Sequence, residues 1–124
     1  VNTYQDWMAF LAKAKDPSKG RPVAKATRIK FHIHGKNSGR LPSVLLTYHD
    51  SIIAEWTPTK MYFTNGGYMT RTTKKRLNDY LPSDYYIQQK KGVWYLRNHA
   101  NTMIRKLKNT FTIKFTHEGE RIKD

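Results

Sequence analysis

SVLLTYHDSIIAEWTPTKMYFTNGGYMTRTTKKRLNDYL, residues 43–81, decides how this chain folds. Val44–Tyr48 and Ser51–Trp56 are short apolar runs rich in β-branched and aromatic residues, separated by His49-Asp50. Two residues between two such runs predict a tight hairpin, although His-Asp is a poor turn pair beside Asn-Gly. Ile52, Ala54 and Trp56 alternate along one predicted face. Pro58 turns the chain, and Lys60–Thr64 follows as a strand with Met61 and Phe63 on one side. Asn65-Gly66-Gly67 is the strongest turn signal in the chain, because all three residues tolerate positive φ. Thr72 or Thr73 then reads as the cap of a helix running to about Leu81 and stopped by Pro82. Thr73, Leu77 and Leu81 recur every four residues, so that face should pack down.

Working outward, Thr3–Ala14 reads as a helix. Thr3 and Asp6 approximate a capping box, and Tyr4, Trp7, Met8 and Leu11 form one apolar stripe. Lys15–Lys25 reads as a basic linker, because Pro17, Gly20 and Pro22 oppose regular structure. Its cations, Lys15, Lys19, Arg21 and Lys25, suggest an arm that could lie along a phosphate backbone. Thr27–His34 alternates, with Ile29, Phe31 and Ile33 on one face and Arg28, Lys30, His32 and His34 on the other. Lys36 and Arg40 sit in the loop that follows.

Beyond the central stretch, Tyr85–Gln89 and Val93–Arg97 predict a second hairpin about Lys90-Lys91-Gly92. Asn98 is expected to cap a short helix containing Met103, Ile104 and Leu107. Phe111–Phe115 reads as a strand, and 117–124 as a polar tail. The sum is an α+β fold: a mainly antiparallel sheet of about six or seven short strands with two or three short helices. At 124 residues one domain is expected over 1–124, with an N-terminal helix (1–14), a basic linker (15–27), a core (28–116) and the tail.

Composition narrows the partner. Lys and Arg number 23 against 9 Asp and Glu, a net charge of +14. The cations are spread along the chain, so a compact fold repels itself unless an acidic partner is near. Aromatic residues make up 13% of the chain, enough for a core and for stacking on bases. There is no cysteine, which excludes disulfides and thiolate metal sites. No apolar run approaches the ~20 residues of a membrane span, and no signal-peptide pattern opens the chain. A cytoplasmic protein with no membrane partner is expected.

The order His49–Trp56, Met61–Thr64, Gly66-Gly67-Tyr68 and Thr70-Arg71-Thr72-Thr73-Lys74-Lys75-Arg76-Leu77-Asn78 resembles a recurring group of small proteins of tailed bacteriophages. The aromatic hairpin segment Gly92-Val93-Trp94-Tyr95-Leu96 fits the same group. The resemblance spans about residues 45–96 and leaves out the first helix and the last strand. Tyr68 stands where the group more often has Trp. The resemblance implies a phage origin, hence the cytoplasm of an infected host, and carries no activity with it.

Four constellations could carry chemistry. With a cap at Thr72 or Thr73, Lys74, Lys75 and Arg76 fall in the first helical turn, against the dipole, at ~0.3–1 kcal/mol each. A phosphate bound to the helix start, the Thr hydroxyls and these cations would reverse that cost. Second, the basic strand face of Arg28, Lys30, His32 and His34 could bind a strand if Tyr48, Tyr62, Tyr68 or Trp94 shared it for stacking. Third, His32, His34, His49 and Asp50 are the residue types of a divalent-metal site, if strand and turn meet. Fourth, His32 or His34 could serve as the base of a metal-free nuclease. No Ser-His-Asp order, phosphate loop or dinucleotide fingerprint is present.

These readings converge on a basic protein that grips nucleic-acid phosphates with low sequence specificity. The expected contacts are Arg28, Lys30, Arg71, Thr72, Thr73, Lys74, Lys75 and Arg76. No catalytic residue, metal or cofactor is assigned. The alternatives are a protein that modulates an acidic host protein, a small nuclease, and a virion component lying against packaged DNA.

Overall fold

In the computed structural model, residues 3–35, 37–100 and 102–123 are described; Lys36 and the last tail residue, Asp124, lie outside them. The described residues form two helices and ten strands. The strands make two sheets, one with seven strands and one with three, and every pairing is antiparallel. The architecture is α+β.

The first helix, α1 (Tyr4–Leu11), starts where the sequence places it. Thr3 accepts from the Asp6 N–H at 3.2 Å, and Asp6 accepts from the Thr3 N–H at 2.9 Å, a complete capping box. The Thr3 N–H and then the Thr3 hydroxyl, which donates to the same Asp6 carboxylate at 3.0 Å, hold that carboxyl below its usual pKa. Of the apolar stripe, Trp7 and Leu11 are buried and Tyr4 and Met8 are partly so.

A meander follows: β1 (Arg21–Ala24), β2 (Thr27–His32), β3 (Ser43–Tyr48), β4 (Ser51–Trp56) and β5 (Lys60–Thr64). β1 corrects the linker reading. Pro22 is tolerated because β1 is an edge strand, paired only with β2. The preceding turn needs Gly20, whose φ is 74° and whose Cβ, if present, would lie 1.8 Å from the Ile29 carbonyl oxygen. Arg21 locks this edge to α1: its guanidinium stacks 4.2 Å from the Phe10 ring centroid and donates to the Phe10 carbonyl at 2.9 Å.

His49-Asp50 does close a two-residue hairpin, with φ of 49° and 66°. Both residues sit in the left-handed region that a primed turn requires. Within β3–β4 the pairing shifts between Leu46 and Thr47, so Ile53 has no opposite number. This bulge corrects the expected alternation: Ile53 is 1% exposed and Ile52 is 47% exposed, so Ile52 does not share the core face of Ala54 and Trp56.

The chain then leaves the large sheet through α2 (Arg71–Tyr80) and the small sheet, β6 (Tyr85–Lys90), β7 (Val93–Asn98) and β8 (Met103–Leu107). β8 replaces the expected short helix. Of Met103, Ile104 and Leu107 only Leu107 is buried, because the segment is an edge strand lying on β7. The chain returns as β9 (Thr112–Thr116) beside β5, and β10 (Arg121–Ile122) closes the other edge from within the expected tail.

One face of the seven-stranded sheet carries Ile29, Val44, Leu46, Ala54, Trp56, Met61, Phe63, Ile113 and Phe115, all buried. α1 lies on it: Trp7 packs 5.3 Å from Trp56 and 6.0 Å from Tyr80 of α2. The small sheet packs on the same side, with Tyr85 5.0 Å from Phe115 and Trp94 6.1 Å from Phe111. The opposite face presents Arg28, Lys30, Tyr62 and Lys114, all outside the core cluster. Among the described residues no helix is long and apolar enough to cross a membrane.

Candidate functional site

The start of α2 is built by the Asn65–Met69 turn. Asn65 is fully buried; its amide nitrogen donates to the Asn109 carbonyl at 2.6 Å, and its oxygen accepts from the Gly67 N–H at 3.1 Å. Gly66, at φ 62°, sits so close to β4 that a Cβ would lie 3.1 Å from Ser51 Cβ. This tight seat brings the turn against the β3–β4 hairpin and leaves Tyr68 59% exposed beside it.

The helix cap is Thr70, not Thr72 or Thr73. Thr70 Oγ1 accepts from the Thr73 N–H at 3.2 Å, and the two hydroxyls meet at 2.8 Å. Thr73 is buried with Leu77 and Leu81, so the four-residue spacing marks the packed face but not the cap. The earlier start puts Arg71 at the first helical position, and Lys75 and Arg76 in the second turn. The dipole penalty expected for Lys75 and Arg76 therefore falls away, since the effect fades beyond the first turn.

The cations separate by direction. Lys74 reaches the small sheet, where its Nζ donates to Gln89 Oε1 at 3.1 Å. Lys75 and Arg76 turn toward the hairpin, and Asp79 lies 3.6 and 3.5 Å from them. Arg76 also sits 5.8 Å over the Tyr48 ring. Arg71 and Thr72 are exposed. Next along the helix, burial and then Asp79 raise the Tyr80 hydroxyl above the usual phenol value, with Arg76 acting against them.

Two adjoining depressions result. One, of about 320 Å³, lies between Tyr48, His49 and Ser51 of the hairpin, Tyr68 of the turn, and the threonines at the start of α2. The other, of about 300 Å³, lies between Lys25, Lys75 and Arg76 and shares Tyr48, His49 and Thr72 with the first. No carboxylate among the described residues lines either depression. Lys25 arrives because the β1–β2 and β3–β4 turns lie at one end of the sheet: Thr27 pairs with Tyr48, and the His49 N–H donates to the Ala26 carbonyl at 2.9 Å.

Arg28 and Lys30 are not brought to this cleft. They lie on the face of β2 opposite Ile29, and so across the sheet from α2. Arg28 holds the turn before β1, donating to the carbonyls of Gly20 at 2.9 Å and Lys19 at 3.2 Å. Of the four aromatic residues considered for the Lys30 face, only Tyr62 lies there; Trp94 is buried in the small sheet and Tyr48 and Tyr68 line the cleft. His32 and His34 are separated from His49-Asp50 by the length of β3, roughly 17 Å at ~3.3 Å per residue. His34 instead meets Ser43 Oγ at 3.2 Å and Glu55 at 3.5 Å, and Arg40 lies 3.6 Å from the same carboxylate. Among the described residues no three His, Cys, Asp or Glu side chains gather as a metal site would need.

Fold and cleft together define a small basic α+β protein whose cations and hydroxyls converge from three separate segments. The Kyanoviridae Gp96 protein family model matches residues 15–121, and the chain belongs to that family of phage proteins. No curated protein and no solved structure matches the chain.

Proposed function

We propose that this protein binds nucleic acid through its phosphates, with low sequence specificity, at the cleft between the hairpin turns and α2. The observation that carries the reading is the lining of the cationic half: Lys25, Lys75 and Arg76 with the Thr72 hydroxyl, and no carboxylate in the lining, in a chain of net charge +14. Asp79 offsets part of the charge of Lys75 and Arg76 but stands on the helix, outside the lining. A phosphate diester supplies an anion that the lining lacks, and contacts to phosphate fix position without reading sequence. Arg71, exposed at the helix start, extends the same surface.

The test is fluorescence anisotropy against matched single- and double-stranded DNA and RNA at several salt concentrations. Affinity should fall steeply with salt, with ~0.7–0.9 in log–log slope for each phosphate neutralised. Replacing Lys25, Lys75 and Arg76 together by Gln should lower that slope by roughly 2–3. The pair Lys30 and Lys114 on the open sheet face, replaced by Gln, is the control. Unchanged binding in the folded triple variant refutes the cleft. A salt-insensitive complex with one host protein, surviving nuclease treatment, favours host modulation instead.

A further inference from the structure

We propose that the other half of the cleft is a nucleoside pocket, so that the protein takes an unstacked nucleotide and not the side of a closed duplex. The inference rests on the phosphate reading above and names what accompanies the phosphate. The aromatic half is chemically unlike its neighbour. Its lining combines Tyr48, His49 and Tyr68 with the hydroxyls of Ser51, Thr70 and Thr72 and holds no cation. Rings supply flat apolar faces for a base, and hydroxyls both donate and accept toward its edge or a sugar. A volume of about 320 Å³ falls at the small end of ligand sites, ~300–1,000 Å³, and suits one nucleoside.

The rings are not equivalent. Tyr48 is already engaged: the His49 ring lies 4.5 Å away and the Arg76 guanidinium 5.8 Å over it. Tyr68 is the ring left uncovered, 59% exposed at the mouth of the pocket. An aromatic side chain so exposed gains nothing for the core, and its place is enforced. Gly66 at φ 62° seats the turn against Ser51, and the Tyr68 N–H closes the turn onto the Asn65 carbonyl at 3.0 Å. The two halves share Tyr48, His49 and Thr72, so a base on Tyr68 and a phosphate at Lys25, Lys75 and Arg76 would be neighbours on one nucleotide. A paired, stacked duplex offers the phosphates but keeps its bases from the ring.

The experiment compares a short thymidine strand, an abasic strand of equal length, and a matched duplex, using wild type, Tyr68→Ala and Tyr68→Phe. The thymidine strand should bind tightest, and Tyr68→Ala should weaken it by about 5- to 150-fold, the usual effect of losing one stacked base. Tyr68→Phe should keep most of the affinity, and the salt slope should not change in either variant. Competition by thymidine monophosphate separates the sources. Displacement at an affinity equal to the strand's assigns the pocket to free nucleotides, and weaker displacement assigns it to a strand or its end. Equal binding of the thymidine and abasic strands, or no loss in Tyr68→Ala, overturns the nucleoside pocket and leaves the phosphate reading standing. Failure of every strand to bind overturns both.

Discussion

Replacing Asn65 tests whether one buried amide holds the cleft together. Its side chain is fully buried and spans 44 residues of sequence to reach the Asn109 carbonyl at 2.6 Å, while its oxygen takes the Gly67 N–H at 3.1 Å. Asn65→Ala removes both bonds, together with the weaker one from the same amide nitrogen to Met69 Sδ at 3.1 Å. The Gly67 N–H belongs to an exposed residue and can turn to water, so its loss should cost toward the low end of ~0.5–1.5 kcal/mol. The Asn109 carbonyl, also on an exposed residue, loses a short bond from a buried donor, at ~1–2 kcal/mol. Together the variant should be less stable by roughly 1.5–2.5 kcal/mol, which lowers a urea midpoint by ~0.5–2.5 M at the slopes usual for small proteins. Trp7, Trp56 and Trp94 are all buried, so tryptophan fluorescence reports the transition. Asn65→Asp sharpens the test. It keeps the acceptor for Gly67 but sets a carboxylate oxygen against the Asn109 carbonyl. It should therefore destabilise at least as much as Ala at neutral pH. An Asp variant as stable as wild type would refute the donor role, and an Ala variant within 0.5 kcal/mol, a threshold set by the usual scatter of surface substitutions, would refute the anchor altogether.

Two further outcomes bear on the helices. Thr70→Ala should cost ~1 kcal/mol as the loss of an N-cap, whereas Thr72→Ala, at an exposed helical position, should lie within ~0.5 kcal/mol of wild type; urea melts that reverse this order would move the cap back to Thr72. At the other end of the chain, the carboxyl of Asp6 is lowered in the folded state by its bonds to Thr3, so its stabilising contribution is present above the unfolded value of 3.8 and lost as pH falls through the folded value. Asp6→Asn should therefore flatten the acid limb of stability below about pH 4 and leave its shape at neutral pH unchanged, read by thermal melts across pH.

Most strands legible in the sequence lie inside a sheet, although β6, an edge of the small sheet, was legible through the Lys91-Gly92 turn that joins it to β7. Thr27–His32, Val44–Trp56, Lys60–Thr64 and 112–115 lie within the large sheet, where one side of each strand must be apolar, and that alternation can be read. The three strands that escaped reading, Arg21–Ala24, Met103–Leu107 and Arg121–Ile122, are all edges. Edge strands bury little: none of the four residues of β1 is fully buried, and only Leu107 is in β8. Their existence depends on hydrogen bonds to a neighbour, which leave no mark on hydropathy. In β8, Met103, Ile104 and Leu107 even carry helical spacing, and the pairing with β7 overrides it. The bulge at Ile53 was hidden for a related reason: Ile-Ile satisfies either parity, and only the partner strand chooses between them.

For the cleft, the residues were visible but their company was not. The basic cluster on α2 stands out in the sequence, yet only the seat of the buried Thr73 and Leu77 against their neighbours decides that Lys75 and Arg76, and not Lys74, face the hairpin. Lys25, Tyr48 and His49 could have been found from pairing alone. A β2–β3 register that sets Thr27 opposite Tyr48 necessarily brings the turn before β2 beside the turn after β3. The same parity argues against one phosphate track joining α2 to Arg28 and Lys30. Ile29 lies between those two cations and faces the core that α1 and α2 cover, so both must face away. A nucleic-acid strand touching α2 and Lys30 at once would have to wrap the end of the sheet, and the cation standing at that end is Lys25. Under the proposed reading, a strand would reach Lys30 or Lys114 only after passing Lys25 at that end, so a strand short enough to end in the cleft should bind the Lys30 and Lys114 variant as it binds wild type.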